Sequence, residues 1–92
     1  MSYRISYSDE AKRALPHLPG RYRQRARRVI EALARNPRPA GAVELRDLPS
    51  VYRIWLNGWR IIYQIDGEDA MLLIIGIRYK SGPETYENLK IG

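Results

Sequence analysis

The sequence contains no cysteine, which excludes disulfides, thiolate metal sites and thiol nucleophiles together. It has one histidine, His17, set between Pro16 and Leu18. With no second imidazole or matching carboxylate beside it in the sequence, His17 reads as a surface residue near a helix end rather than a general base. Phenylalanine is absent too, so aromatic packing falls to 2 Trp and 7 Tyr. The longest uncharged apolar run, Ala70 to Ile77, is far short of the ~20 residues a spanning helix needs. The first residues, Met1-Ser-Tyr-Arg, lack the apolar stretch of a secretory leader. There is no Walker loop, no dinucleotide fingerprint and no metal-ligand spacing. These absences predict a cytoplasmic protein with no membrane partner, no metal and no cofactor.

What is present fits one domain over residues 1–92, since 92 residues cannot build a second core. Apolar residues make up 45% of the chain, enough for a modest interior. The formal net charge is +6. Most of it lies in the first forty residues, while the remainder is close to balance. A polyanion is therefore the first partner to consider, and nucleic acid and an acidic protein both qualify.

Tyr3, Ile5 and Tyr7 alternate with Arg4 and Ser6, the period of a half-buried strand. Ser8 or Asp9 is placed to cap a short helix that reaches about Leu18 and is broken by Pro19-Gly20. From Arg21, a second helix carries Tyr22, Ala26, Val29, Ile30, Leu33 and Ala34 on one stripe, until Asn36-Pro37 stops it. Its arginines Arg21, Arg23, Arg25, Arg27, Arg28 and Arg35 read either as an electrostatic footprint or as a solvated face with Glu31 bridging Arg27 and Arg35. Pro39 and Gly41 carry an extended connection.

Val51 to Leu56 and Trp59 to Ile65 flank Asn57-Gly58, a strong hairpin signal. A two-residue turn sets Leu56 opposite Trp59, Trp55 opposite Arg60, Ile54 opposite Ile61 and Arg53 opposite Ile62. Arg53, Trp55 and Arg60 then share one face, and Tyr52, Ile54, Ile61 and Tyr63 the other, which suits the long helix. Ala70 to Tyr79 is apolar on both faces and predicts an interior strand. An odd turn before it puts Ile74, Gly76 and Arg78 on the Arg60 face; an even turn puts Arg78 on the opposite one. Ser81-Gly82-Pro83 begins a short segment that includes Tyr86. The expected fold is α+β, with two N-terminal helices on a mostly antiparallel four-stranded sheet and a short C-terminal helical segment.

Arg53 and Arg60, joined by Arg78 if the turn is odd, share one face with no acidic residue interleaved among them in the strands, and repel one another unless an anion is expected. Guanidinium forks suit phosphate oxygens. Trp55 beside Arg60 offers a base-stacking or cation–π platform, against the plainer reading of sheet packing.

The run Leu45-Arg46-Asp47-Leu48-Pro49, then Tyr52-Arg53-Ile54, Trp59-Arg60-Ile61-Ile62-Tyr63-Gln64-Ile65 and Gly76-Ile77-Arg78, resembles the RelE/ParE superfamily of toxins over nearly the whole chain. The resemblance implies a toxin-antitoxin pair and, in the RelE branch, a ribosome-dependent endoribonuclease that cuts mRNA without metal. There the substrate's own 2′-hydroxyl attacks the adjacent phosphate. The cognate antitoxin, the ribosome and mRNA are the implied partners. Carried over by motif, Arg53 takes a usually basic position, Arg60 the phosphate-binding one and Arg78 that of the leaving-group arginine. Tyr86 matches a C-terminal tyrosine that contacts the RNA base. These four form the implied catalytic set, with Trp55 and Arg46 binding substrate. Trp55 stands where that branch often has a lysine and Arg53 replaces another, and arginine is a poor general base. The proton acceptor is then open between Tyr86 and Glu84. The ParE branch implies the alternative, inhibition of DNA gyrase by binding.

Overall fold

Serine 8 starts the first helix in two ways at once. Its Oγ accepts the Ala11 N–H at 3.1 Å as an N-cap and donates to the Ile75 carbonyl on a distant strand. In the computed structural model, which describes residues 2–91, the elements run β1 (Arg4–Tyr7), α1 (Asp9–His17), α2 (Gly20–Arg35), β2 (Val43–Glu44), β3 (Val51–Leu56), β4 (Trp59–Asp66) and β5 (Met71–Tyr79). A 3₁₀ turn at Pro83–Tyr86 follows, with Pro83 opening it. The first helix ends as Pro19 and Gly20 approach, and the second ends at Asn36, ahead of Pro37, where helical backbone is disfavoured.

The sheet order is β1-β5-β4-β3-β2. Every neighbouring pair is antiparallel except β1 with β5, which is parallel. The α+β expectation holds, and β5 is interior as its two apolar faces predict. The sheet has five strands rather than four because Val43 and Glu44 pair with Arg53 and Tyr52. Two residues are too few to show a period, so this stretch reads from sequence as connection.

The β3–β4 register is the expected one, from Leu56 opposite Trp59 back to Arg53 opposite Ile62. Asn57 takes the left-handed φ of 57°. Gly58 serves a different purpose: a Cβ there would lie 2.7 Å from the Tyr79 ring, which stands edge-on to Trp59.

The β4–β5 pairing departs from either simple alternative. Asp66 pairs with Met71, so the turn holds four residues, an even number that alone would send Arg78 to the helix side. Tyr63 pairs with Ile74, but Ile62 pairs with Gly76, leaving Ile75 as an extra residue. This bulge reverses the parity. Ile74 stays on the helix-covered face, and Gly76 and Arg78 arrive on the Arg60 face.

On the first face, Ala26, Ile30 and Leu33 of α2 and Ala11 of α1 pack on Ile61, Tyr63, Leu72 and Ile74, all buried, with Tyr52 and Ile54 at the margin. Tyr63 stacks on Tyr52 with ring centroids 5.8 Å apart and donates its hydroxyl to the Pro37 carbonyl at 2.7 Å. On the second face, Val51, Ile62 and Ile75 are covered by Leu45 and Leu48 of the β2–β3 loop and by Tyr86 and Leu89.

Two expectations follow. Leu33→Ala removes a fully buried side chain from the helix–sheet contact and lowers unfolding free energy by about 2–5 kcal/mol, read by urea denaturation. Burial, with the Tyr52 hydroxyl adding to it, pushes the Tyr63 phenol up to about 12 from an ordinary 10.0. Above pH ~10 the unfolded chain sheds that proton while the folded one keeps it, so stability falls as pH rises from there through ~12. Tyr63→Phe should flatten that alkaline decline in thermal melts.

Candidate active site: the arginine face

The second face, beside the Asn57-Gly58 turn, carries the residues singled out from sequence. Arg60 and Arg78 are direct cross-strand partners on β4 and β5, and Trp55 is the partner of Arg60 on β3. Arg53 lies two residues before Trp55 on the same face. Two guanidinium groups approach the Trp55 ring, Arg60 at 4.2 Å and Arg53 at 5.5 Å from its centroid. The indole itself is 59% exposed.

Arg60 is the least ordinary of these. It is 4% exposed, yet no carboxylate lies within ion-pair distance of it among the described residues. Its Nη1 donates to the carbonyls of Asn57 and Trp59, both at 3.1 Å, and its buried Nε has no partner. Burying an ionised group without a counter-charge costs several kcal/mol. A desolvated cation–π contact with Trp55 returns about 2 kcal/mol. What remains is a fixed, underpaired positive charge whose backbone is held by a hairpin.

Arg78 is held quite differently. Its Nε donates to Glu10 Oε2 and its Nη2 to Glu10 Oε1, both at 2.7 Å. Its Nη1 donates to the carbonyls of Thr85 at 2.9 Å and Glu87 at 2.7 Å. The picture of arginines with no acid among them is therefore corrected. Glu10 comes from the first turn of α1, 68 residues away in sequence, and lies over Gly76. The hydrogen bonds from Arg78 hold the Glu10 carboxyl below the usual carboxylate range, and the same pair raises the affinity of Arg78 for its proton.

Tyr86 is half-buried over the Val51–Ile62–Ile75 patch, next to the Thr85 carbonyl that Arg78 grips. Arg46 is exposed on the β2–β3 loop, which is braced by Glu44 accepting the Ser50 N–H at 2.8 Å. The structure thus brings Arg53, Trp55, Arg60 and Arg78 onto one surface, attaches Tyr86 through the C-terminal segment, and leaves Arg46 at the loop. Glu10 has no sequence signal of its own, because an acid in a first helical turn is ordinary. Gly76 is the readable sign: a glycine inside an apolar strand marks a bulge or a close approach, and here it marks both. A Cβ at Gly76 would lie 2.5 Å from Glu10 Oε2.

The exposed arginines of α2 make no ion pair with Glu31 within 4 Å among the described residues. No group of three or more His, Asp or Glu suited to a metal occurs among them, and no helix is long and apolar enough to cross a membrane. A depression of about 410 Å³ at the far end of the second face is lined by Ser6, Gln64, Asp66 and Glu68 among others and contains no arginine, so it lacks chemistry for an anion.

Comparison with known proteins agrees with this architecture. The chain is similar to an E. coli RelE mutant in the free state, with 24% identity and a TM-score of 0.79 over 94% of this chain and 92% of that one. It is likewise similar to archaeal RelE in the RelE–RelB complex from Pyrococcus horikoshii, with 24% identity and a TM-score of 0.76 over 86% and 96%. For the YoeB dimer from Staphylococcus aureus the values are 18% and 0.74 over 88% and 100%. These likenesses are ones of fold. Curated protein sequences give no match. The sequence pattern of the ParE toxin of the type II toxin-antitoxin system parDE matches residues 5–82. That span holds both helices, the five strands but for Arg4 at the start of β1, and the arginine-face side chains Arg53, Trp55, Arg60 and Arg78, and the chain therefore belongs to this toxin family within the RelE/ParE superfamily.

Proposed function

We propose that this protein is an mRNA endoribonuclease that acts on ribosome-bound message and is neutralised by a cognate antitoxin. The observation that carries this reading is Arg60, a buried guanidinium with an unpartnered Nε and no carboxylate beside it. A phosphate in flight between two oxygens is the kind of charge such a group stabilises, because a preorganised cation costs no reorganisation when negative charge develops. The substrate 2′-hydroxyl passes its proton to Tyr86 or Glu84 as its oxygen attacks the adjacent phosphorus. The 5′-oxygen leaves and takes a proton from water, giving a cyclic phosphate with the nucleophile supplied by the substrate itself. Arg60 serves the phosphate and Arg78 the leaving oxygen. Arg53 adds positive charge beside Trp55, whose exposed ring stacks on an RNA base, while Tyr86 and Arg46 extend the grip on the strand. Ribosomal action places the protein in the cytoplasm, working as one domain.

The antitoxin reading is supported by the net charge of +6, which favours an acidic segment, and by the archaeal relative's complex with RelB. A gyrase-binding reading is favoured by one observation, the ParE pattern over residues 5–82.

Purified protein incubated with programmed ribosomes separates these readings. Cleavage within coding sequence is expected, with Arg60→Ala slowing it about 100- to 1,000-fold. Trp55→Ala should raise the half-saturating concentration more than it lowers the rate. Intact message, together with inhibition of gyrase supercoiling, would transfer the protein to the ParE mode of action.

A further inference from the structure

Arg78 spends its hydrogen-bonding capacity in a way that leaves a single vacancy. A guanidinium carries five N–H groups. Nε–H and one Nη2–H go to the two oxygens of Glu10, and the Nη1 group donates to Thr85 and Glu87. One Nη2–H remains. The side chain as a whole is 21% exposed. A fork with one free hydrogen cannot clamp a phosphate through two oxygens. It can donate to one.

We propose that Glu10 is a positioning residue, whose carboxylate grips Arg78 so that one Nη2–H is presented to a single oxygen of the reacting group. This inference rests on the ribonuclease reading. Three features hold Glu10 in that role. Ser8, two residues earlier, is bonded both to the α1 N-terminus and to the Ile75 carbonyl, which pins the first turn of α1 onto β5. Gly76 has no side chain where the carboxylate lies, and Arg78 Nε is 3.5 Å from the same point. The bulge at Ile75 brings Gly76 and Arg78 to this face. There is also a reason Arg78 needs a holder. It sits directly opposite Arg60, and like charges in that position repel. Without Glu10 the Arg78 guanidinium is held on one side only, by the Thr85 and Glu87 carbonyls, and Nη2 loses the partner that fixes its direction. The pair also keeps both groups ionised near neutral pH, so Arg78 acts by charge and by one hydrogen bond rather than by giving up a proton.

The test uses the full-length protein on ribosomes programmed with a defined mRNA, with cleavage followed in single turnover over a range of protein concentrations. Glu10→Gln keeps size and one acceptor but removes the charge. Gly76→Ala leaves Glu10 and Arg78 in place and displaces the carboxylate with a methyl group. Both variants should lower the saturating rate tenfold or more, hold the half-saturating concentration within twofold, and melt within a few degrees of the parent. A purely structural pair would shift melting and leave the saturating rate alone. If both variants cleave at the parental rate while Arg60→Ala does not, the positioning role is wrong and the ribonuclease reading stands. If the unmodified protein leaves the message intact, the ribonuclease reading falls and the role of Glu10 with it.

Discussion

One extra residue in β5 decides what the second face of the sheet can do. With Ile75 inserted, Arg78 stands opposite Arg60 on the face away from the helices. Without it, the four-residue turn after Asp66 would carry Arg78 into the layer occupied by Ile30 and Leu33, where a guanidinium has no partner. The bulge is held from both sides. Ser8 donates to the Ile75 carbonyl on the β1 side of the strand, and the Ile75 side chain packs with Val51 and Ile62 beneath the β2–β3 loop. Edge, turn and face thus depend on a single local irregularity, as is common where strands carry function.

Two arginines on that face show opposite ways of keeping a cation in a half-dry place. Arg78 is paired and tied to two parts of the chain, α1 through Glu10 and the C-terminal segment through Thr85 and Glu87. Arg60 is covered by an indole and supported only by carbonyls of its own turn. The first arrangement fixes the direction of a side chain. The second is costly for the fold, because a buried Nε goes without a partner. The environments differ although the side chains are identical and adjacent.

Much of this was legible from residue order. The apolar stripe of α2, the Asn57-Gly58 turn and the pairing of Trp55 with Arg60 follow from periodicity and from a two-residue loop that permits one register. The parity of β5 was not legible, because Gly76 signals a bulge or a close approach without saying which, or at which residue the count changes. Glu10 was invisible for another reason: its partner lies 68 positions away, and its place in a first helical turn already has a local explanation. The short strand Val43–Glu44 escaped because its pairing depends on the β3 edge being present rather than on any pattern of its own.

The parallel pairing of β1 with β5 has a consequence for how the molecule is made. Arg4 to Tyr7 find their partners in Met71 to Ile74, so β1 waits for β5 before it can join the sheet. Closing so long a loop slows folding relative to local pairing. The β3–β4 hairpin, by contrast, can form as soon as it emerges, bringing Trp55 and Arg60 together early. Glu10 and Arg78 meet only when β5 docks, so a nascent chain carries an unfinished arginine face until β5 has been translated.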